Sequence, residues 1–256
     1  MKEKYVVFID IDGTLAGTRG VNPKNKAAIE KAREQGHYIF INTARARSYT
    51  RPDLWGDIEF DGIISGIGSH IEVAGNAIFG KYIEKDVIYK CVKHFFNTKH
   101  GFLVSGVKRS FMLNPTHAFE SWNFEEINKP EDFLEKYADA KIQKIEMFGK
   151  DISAEEKEFL SNKLALYDHG GYIECGRYDC TKSSAMDKVL GYLGIEKKNS
   201  IAMGDSLNDL DMLKNAGIAV VMGNAADEVK SIADFVSTEC DDGGVAYAIE
   251  ELLLKE

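Results

Sequence analysis

The stretch that decides the fold is YVVFIDIDGTLAG, residues 5–17, in which an apolar run ends in two aspartates separated by one isoleucine. Such a run is typical of a buried strand, where side chains two positions apart point the same way. Asp10 and Asp12 follow at its carboxyl end, and Gly13 permits a tight turn. Because open α/β sheets bind ligands at the carboxyl ends of their strands, we expect both carboxylates at the edge of a crevice.

A second apolar run ends in acids near the end of the chain. It reads SIAMGDSLNDLDML, residues 200–213, and contains Asp205 and Asp209 with Asn208 between them. Capping of a helix explains one of these aspartates but not both. Carboxylates that lie close together repel, and a bound divalent cation relieves the repulsion. Oxygen ligands without histidine or cysteine favour Mg2+ over zinc.

Three further side chains have chemistry that suits a phosphoryl group. Thr43 ends a predicted strand and presents a hydroxyl at the same edge, and Arg45 follows two residues later. Lys182 begins a predicted helix. Its positive charge there opposes the helix dipole, and this unfavourable placement favours a functional role for the lysine. Taken singly, each has an ordinary alternative, since a threonine at a helix start commonly acts as a cap.

Composition narrows the class of protein. The 256 residues, 44% hydrophobic and 29% charged, suffice for one large domain or two modest ones. A net charge of -9 argues against a nucleic-acid partner. The amino terminus lacks a signal-peptide pattern, and no stretch approaches the roughly 20 apolar residues of a spanning helix. We therefore expect a soluble, cytoplasmic protein without a membrane partner, either monomer or dimer.

Strand and helix patterns alternate at both ends of the chain and predict a doubly wound parallel α/β sheet. The middle differs, because its strand-like runs are joined by short links with helices grouped between them. It predicts an inserted α+β domain with an antiparallel sheet. The predicted boundaries are residues 1–82 and 179–256 for the core and 83–178 for the insert.

Local patterns predict several elements in detail. In the insert we expect helices over residues 130–138 and 153–167, the second with a capping box formed by Ser153 and Glu156. In the core, Gly75 and Asn76 predict the turn of a hairpin.

The motifs FIDIDGTL, the threonine of INTAR, a later lysine and GDSLND, in this order, resemble those of the haloacid dehalogenase (HAD) superfamily of phosphatases. The resemblance is closest to the Cof-type sugar phosphatases, whose type IIB cap is inserted between the second and third motifs. It frames the Rossmann-like core, over residues 1–80 and 180–250, and extends to the late segment VVMGNA. The chain departs from the branch at residues 42–45, where NTAR replaces the usual ATGR.

The resemblance implies a phosphomonoester hydrolase that acts on a small phosphorylated metabolite, such as a sugar phosphate. Asp10 would attack phosphorus and form an aspartyl-phosphate, while Asp12 would protonate the leaving alcohol and then deprotonate the attacking water. The implied ligands of Mg2+ are the Asp10 carboxylate, the Asp12 main-chain carbonyl and Asp205.

The resemblance also implies supporting roles around this centre. Thr43 and Lys182 would bind the phosphoryl oxygens, and Asp209 and Asn208 would orient the metal ligands. The insert would act as a lid that selects the leaving group. The further candidates for substrate or phosphate binding are Gly13, Arg45, Arg109 and Arg177. For the last two, an ordinary surface arginine is the alternative.

Two other functions remain compatible with these motifs. A phosphosugar mutase of the same superfamily would return the phosphoryl group to a sugar instead of water. A phospho-acceptor or sensing module would also contain clustered aspartates and a lysine, but it would need neither a cap nor Asp12 as an acid and base. Product analysis distinguishes a mutase from a hydrolase. Slow loss of an acyl-phosphate without catalytic turnover would indicate the phospho-acceptor module.

Overall fold

The computed structural model describes residues 3–115, 119 and 122–255. In chain order the strands are β1 (Val6–Ile9), β2 (Ala16–Gly17), β3 (Gly20–Val21), β4 (Tyr38–Asn42), β5 (Gly62–Ser65), β6 (His70–Val73), β7 (Asn76–Gly80), β8 (Gly101–Gly106), β9 (Ser110–Leu113), β10 (Glu125–Glu126), β11 (Ile142–Phe148), β12 (Ala165–Asp168), β13 (Tyr172–Gly176), β14 (Ser200–Gly204), β15 (Ile218–Val221) and β16 (Phe235–Val236). The α-helices are α1 (Pro23–Glu34), α2 (Lys85–Phe95), α3 (Ala154–Ser161), α4 (Lys182–Leu193), α5 (Leu210–Asn215), α6 (Asp227–Lys230) and α7 (Gly244–Ile249).

The chain divides into two compact units. The first comprises residues 1–44, 50–79 and 181–256, and the second comprises residues 45–49 and 80–180. Residues 45–49 therefore group with the second unit, whereas the predicted boundaries assign them to the core. Within the described ranges, no helix is both long and apolar enough to cross a membrane.

The first unit is built on an eight-stranded sheet with the order β16-β15-β14-β1-β4-β5-β6-β7. The pairs from β16 to β5 are parallel, and β6 joins antiparallel to β5. Successive residues of β1 face opposite layers: Val7 and Ile9 pack with α1 and α7, whereas Val6 and Phe8 pack with α4 and α5. Burial on both faces explains the unbroken apolar runs and confirms the predicted doubly wound sheet.

The second unit has a six-stranded sheet with the order β10-β9-β8-β11-β13-β12. Its pairs are antiparallel except β9 with β10. The apolar face of α2, formed by Ile88, Cys91, Val92 and Phe95, is buried against one side of this sheet. The unit thus has a hydrophobic core of its own, as an α+β insert requires.

Three local predictions need correction. The expected helix over residues 130–138 is reduced to a 3-10 turn, Pro130–Phe133. Helix α3 keeps the predicted capping box of Ser153 and Glu156 but stops at Ser161, because residues 165–168 pair as β12 with β13. Leu164 is buried in the core, and Leu166 packs against it half-buried. The hairpin turn lies one residue earlier than predicted, at residues 74–75, both of which have positive φ.

Candidate active site

The two acidic motifs meet because β1 and β14 are neighbours in the parallel sheet. Ile9 is in register with Met203, and the Asp10 amide donates to the Met203 carbonyl at 3.1 Å. Asp10 and Asp205 therefore follow adjacent strand ends, although 195 residues separate them along the chain (205 minus 10). This adjacency places their carboxylates at the carboxyl edge of the sheet, as predicted.

The loop after β1 is a tight turn that requires glycine. Gly13 has a φ of +79°, and its amide donates to the Ala16 carbonyl at 2.9 Å. A Cβ at this position would lie 2.2 Å from Oδ2 of Asp205, so any side chain here would force that carboxylate to shift. The turn leaves Asp10 buried, with 4% of its surface exposed, and Asp12 exposed to solvent.

Lys182 joins the two acidic motifs. Its Nζ donates to Oδ1 of Asp10 at 2.7 Å and to Oδ1 of Asp209 at 2.6 Å, and only 2% of the residue is exposed. Thr181 caps α4 by accepting from the Ser184 amide, which fixes the first turn of the helix and hence Lys182. Gly68, with a φ of +82°, packs so closely on the Thr181 carbonyl that a Cβ would lie 2.1 Å from it.

Asp10, Asp205 and Asp209 form an acidic cluster whose ligand atoms, one from each residue, lie within 4.8 Å of one another. Thr14 orients Asp205 by donating from Oγ1 to Oδ1 at 2.8 Å. Both oxygens of Asp209 already accept, Oδ1 from Lys182 and Oδ2 from the amides of Asp205 and Ser206. Asp209 therefore holds the 205–206 loop and Lys182 in place. The carboxylates of Asp10 and Asp205 are better suited to bind a cation.

Burial changes the acidity of this cluster. It raises the pKa of Asp10 to about 7, with Asp209 and Asp12 adding to the rise and Lys182 opposing it. Burial likewise raises the pKa of Asp205 to about 6, against the hydrogen bond from Thr14. Burial by itself would lower the pKa of Lys182, but attraction by Asp10 and Asp209 raises it, so the ammonium stays charged. One ammonium faces three carboxylates, and an all-oxygen donor set of this charge fits a hard divalent cation.

A family model described as haloacid dehalogenase-like hydrolase matches residues 7–249. The chain belongs to this family. Among curated relatives of this HAD-like chain, the 5-amino-6-(5-phospho-D-ribitylamino)uracil phosphatase YcsE of Bacillus subtilis is 30% identical over 261 residues, covering 97% of this chain and 96% of the relative. Phosphatase YwpJ of the same organism is 27% identical over 289 residues, covering 97% of this chain and 99% of the relative.

Solved structures share the fold of the HAD-like chain. A haloacid dehalogenase-like hydrolase from B. subtilis superimposes with a TM-score of 0.85 at 23% identity, covering 97% of this chain and 100% of the other. The HAD subclass IIB sugar phosphatase BT4131 gives a TM-score of 0.82 at 22% identity, with coverage of 96% and 98%. The predicted resemblance to the Cof-type branch and the prediction of a phosphatase-type enzyme are confirmed.

In the HAD-like chain, the motif at residues 42–45 is split between the two units. Thr43 is buried at the end of β4, where its amide donates to the Ile64 carbonyl at 3.0 Å. Asn42, at the position where the branch usually has alanine, donates from Nδ2 to the Lys182 carbonyl at 3.2 Å and so ties β4 to the start of α4. Arg45 belongs to the second unit, where its positive charge acts to lower the pKa of Glu146.

The remaining predicted residues are engaged locally. Arg109 makes a two-pronged ion pair with Glu125, at 2.6 and 2.8 Å. Arg177 pairs with Asp179 at 2.9 Å and donates to the Tyr82 carbonyl at 3.0 Å. These contacts favour structural roles within the second unit for both arginines. Asn208 is exposed and accepts from Oγ of Ser206 at 2.7 Å, which places it at the rim of the acidic loop.

Two residues of the site were not predicted from the sequence. Thr14 donates a hydrogen bond to Asp205. The sequence feature that could have indicated this residue is its position directly after the Asp-Gly turn, from which a short hydroxyl side chain reaches the neighbouring strand end. Asn224 donates from Nδ2 to the Gly13 carbonyl at 2.9 Å. The segment VVMGNA, which contains Asn224, resembles the Cof-type branch, but its contact with the first motif depends on the strand order.

Proposed function

We propose that the chain is a Mg2+-dependent phosphomonoester hydrolase that works through an aspartyl-phosphate on Asp10. The observation that carries the proposal is the pair of contacts from Lys182 Nζ to Asp10 and Asp209. The ammonium fixes the nucleophilic carboxylate and places positive charge where a phosphate dianion has to approach it. Without that charge, the buried Asp10 and an incoming dianion would repel each other strongly.

The mechanism assigns two roles to the first motif. Asp10 attacks phosphorus, the bond to the leaving oxygen breaks, and Asp12 supplies the proton that the departing alkoxide needs. Asp12 then takes a proton from water, which attacks the acyl-phosphate and releases inorganic phosphate and free Asp10. The exposure of Asp12 supports this role, because it can exchange protons with substrate and solvent.

The residues that would hold Mg2+ are Asp10 and Asp205 together with the Asp12 main-chain carbonyl. When bound, the cation would neutralise charge on the phosphoryl group. Asp209 would keep Lys182 and the 205–206 amides in place through the hydrogen bonds described above. Thr43, buried at the neighbouring strand end, would supply a hydroxyl to the phosphoryl oxygens.

We propose a phosphorylated sugar or sugar alcohol as the substrate. The support is in the names of relatives: YcsE acts on a phosphoribitylamino compound, and BT4131 is a sugar phosphatase. These share a phosphate on a polyhydroxylated carbon chain. The proposed location is the cytoplasm, where such metabolites occur.

The test is phosphate release from 4-nitrophenyl phosphate and from a panel of sugar and polyol phosphates, with Mg2+ or with EDTA. We expect release that needs Mg2+, and we expect Asp10→Asn to abolish it while circular dichroism stays native. Asp211→Asn is the matched control, since this acid of the second motif accepts from the Ser183 amide and, within the part of the chain that the structure describes, is hydrogen-bonded to neither Asp10 nor Lys182.

Three outcomes would contradict the proposal. Near-normal turnover in Asp10→Asn would exclude Asp10 as the nucleophile. Full activity in EDTA after metal removal would exclude the Mg2+ requirement. An isomerised sugar phosphate, formed without free phosphate, would identify a mutase.

A further inference from the structure

We infer that Asn224 is a positioning residue that holds the Asp12-Gly13 turn in the conformation needed for proton transfer to the leaving group. The inference rests on the proposed function for the role of Asp12, and it concerns a residue outside the four motifs that carry the chemistry.

The amide side chain of Asn224 connects two loops of the first unit. Its Nδ2 donates to the Gly13 carbonyl at 2.9 Å, and its Oδ1 accepts from the Cys240 amide at 2.8 Å. An asparagine side chain has both a donor and an acceptor end, so it can make this bridge without any change of protonation. A carboxylate or a hydrocarbon of similar size would lose at least one of the two bonds.

The loop that contains Cys240 is itself fastened to the hairpin of β2 and β3. Asp241 accepts from Oγ1 of Thr18 at 2.5 Å and from the Arg19 amide at 3.1 Å, and its carbonyl accepts from Nδ2 of Asn22 at 2.9 Å. This hairpin follows directly from the catalytic turn in the chain. Asn224 therefore closes a ring of contacts that begins and ends at the Asp12-Gly13 turn.

Asn224 is held rigidly enough to act as a support. The preceding Gly223 donates to the Thr238 carbonyl at 3.0 Å, and a Cβ on it would lie 2.9 Å from the Glu239 amide nitrogen. The following Ala225 is buried. Backbone anchored on both sides presents the Asn224 amide in one orientation.

The turn needs such a support because its central residue is glycine. Gly13 adopts φ values that other residues avoid, and the same freedom allows its flanking peptides to rotate. The Gly13 amide is fixed by the Ala16 carbonyl at 2.9 Å, which sets the peptide that joins it to Asp12. Asn224 fixes the carbonyl of the peptide on the other side, whose Thr14 amide donates to the Ile11 carbonyl at 3.3 Å. The bond from Asn224 therefore adds to the backbone bonds that set the direction of Asp12.

Asn224 is exposed and adds little to the hydrophobic core, so its removal should affect catalysis more than folding. The effect should depend on the leaving group. 4-Nitrophenyl phosphate releases a nitrophenolate that departs without protonation, whereas an alkyl phosphate needs the proton from Asp12. Misplacement of Asp12 should therefore reduce hydrolysis of alkyl phosphates selectively.

The experiment compares kcat/KM for 4-nitrophenyl phosphate and for glycerol 3-phosphate in the full chain. In Asn224→Ala we expect the ratio of alkyl to aryl kcat/KM to fall about tenfold. In the Asp12→Asn background the same substitution should leave the ratio unchanged, because the proton donor is already absent. Asn199→Ala is the matched control: Asn199 donates to Glu3 at the amino end of β14, and its loss should leave the ratio at the wild-type value.

A second measurement is independent of turnover. Hydrogen exchange at the amides of Gly13 and Thr14 should become about tenfold faster in Asn224→Ala, since the turn loses one of its fixed peptides. Unchanged exchange, or an equal loss for both substrates, would overturn the inference while leaving the proposed function intact. If the wild type hydrolyses neither these two probes nor any member of the sugar and polyol phosphate panel, the proposed function is wrong, and the exchange result alone decides whether Asn224 supports the turn.

Discussion

At the residue scale, the site depends on glycines that bring carboxylates and backbone into unusually close contact. Gly13 both adopts a positive φ and leaves space for Asp205, and Gly204 leaves comparable space for Asp209, where a Cβ would lie 2.6 Å from that of the aspartate. Close approach lets the carboxylates of the two motifs gather at one edge of the sheet. Glycine is therefore as much part of the site as the charged residues.

Gly13→Ala tests the close approach at Gly13. Alanine in the left-handed region should lower the free energy of unfolding by about 1 to 2 kcal/mol. The new Cβ should also displace Asp205, and we expect kcat/KM for 4-nitrophenyl phosphate to fall by more than about a hundredfold. Urea unfolding and steady-state kinetics measure the two effects separately.

Gly75→Ala provides the matched control. Gly75 has a φ of +76°, and no atom of the described residues lies within 4 Å of an added Cβ, so this variant has the backbone strain without the clash. It should lose similar stability and keep its activity. An equal loss of activity in both variants would show that strain, and not the displacement of Asp205, impairs catalysis.

At the element scale, the pairing of β11 with β13 brings like charges together in the second unit. Glu146 is in register with Glu174, and Lys144 bridges them, at 3.2 Å from Glu146 and in direct contact with Glu174. All three lie on the sheet face opposite α2, where Lys144 and Glu174 are at most 6% exposed. Directly opposed carboxylates would destabilise the strand pair, so the lysine is needed to hold it together.

The two glutamates respond in opposite directions. Burial by itself would raise the pKa of Glu174, but Lys144 and His169 together lower it to about 2. Burial raises the pKa of Glu146 despite the attraction of Lys144. Glu174 thus stabilises the folded state as an anion, whereas the negative charge of Glu146 is less favourable in the folded state.

Glu174→Gln should make stability less dependent on pH. A carboxylate whose folded pKa lies below its ordinary value of 4.5 stabilises the fold above that pH, and the contribution is lost as the pH falls toward about 2. We therefore expect the variant to lose roughly 3 kcal/mol at pH 7 and progressively less below about pH 4.5. Urea unfolding at a series of pH values measures the difference. Glu146→Gln is the control and should lose less at pH 7; a larger loss there would reverse the assignment.

At the scale of the whole molecule, each unit has its own core, but the acidic cluster belongs to the first unit alone. Asp10, Asp205 and Asp209 gather around Lys182 in a chain that already has a net charge of -9. Their mutual repulsion weakens the folded state, because the unfolded chain separates them. A cation that binds only the folded state should therefore stabilise the protein as well as activate it.

Mg2+ should raise the melting temperature of the protein. At a concentration about 100 times its Kd, binding to the native state alone adds roughly 2.7 kcal/mol, which corresponds to several degrees for a chain of this length. Asp205→Asn should abolish most of the shift, and Asp53→Asn, at an exposed acid paired with Arg51, should keep it. Differential scanning fluorimetry with Mg2+ and with EDTA gives the measurement. A full shift in Asp205→Asn would remove Asp205 from the cation site.

The sequence by itself determined where the two acidic motifs lie and much of the local structure around them. Apolar runs and the Ser153–Glu156 capping box act over a few residues, so they can be recognised without the fold. Sequence reasoning failed at β12, because pairing with β13 overrides the helical pattern of that segment. It could not foresee the contact of Asn224 with Gly13, which lie 211 residues apart.

Only the tertiary structure decided which of these groups meet. The order of β15, β14, β1 and β4 in the parallel sheet brings the separate strand ends to one edge, and the start of α4 delivers Lys182 between Asp10 and Asp209. The physical reason is that burial, close approach and charge pairing depend on distances in space, whereas sequence patterns report only distances along the chain.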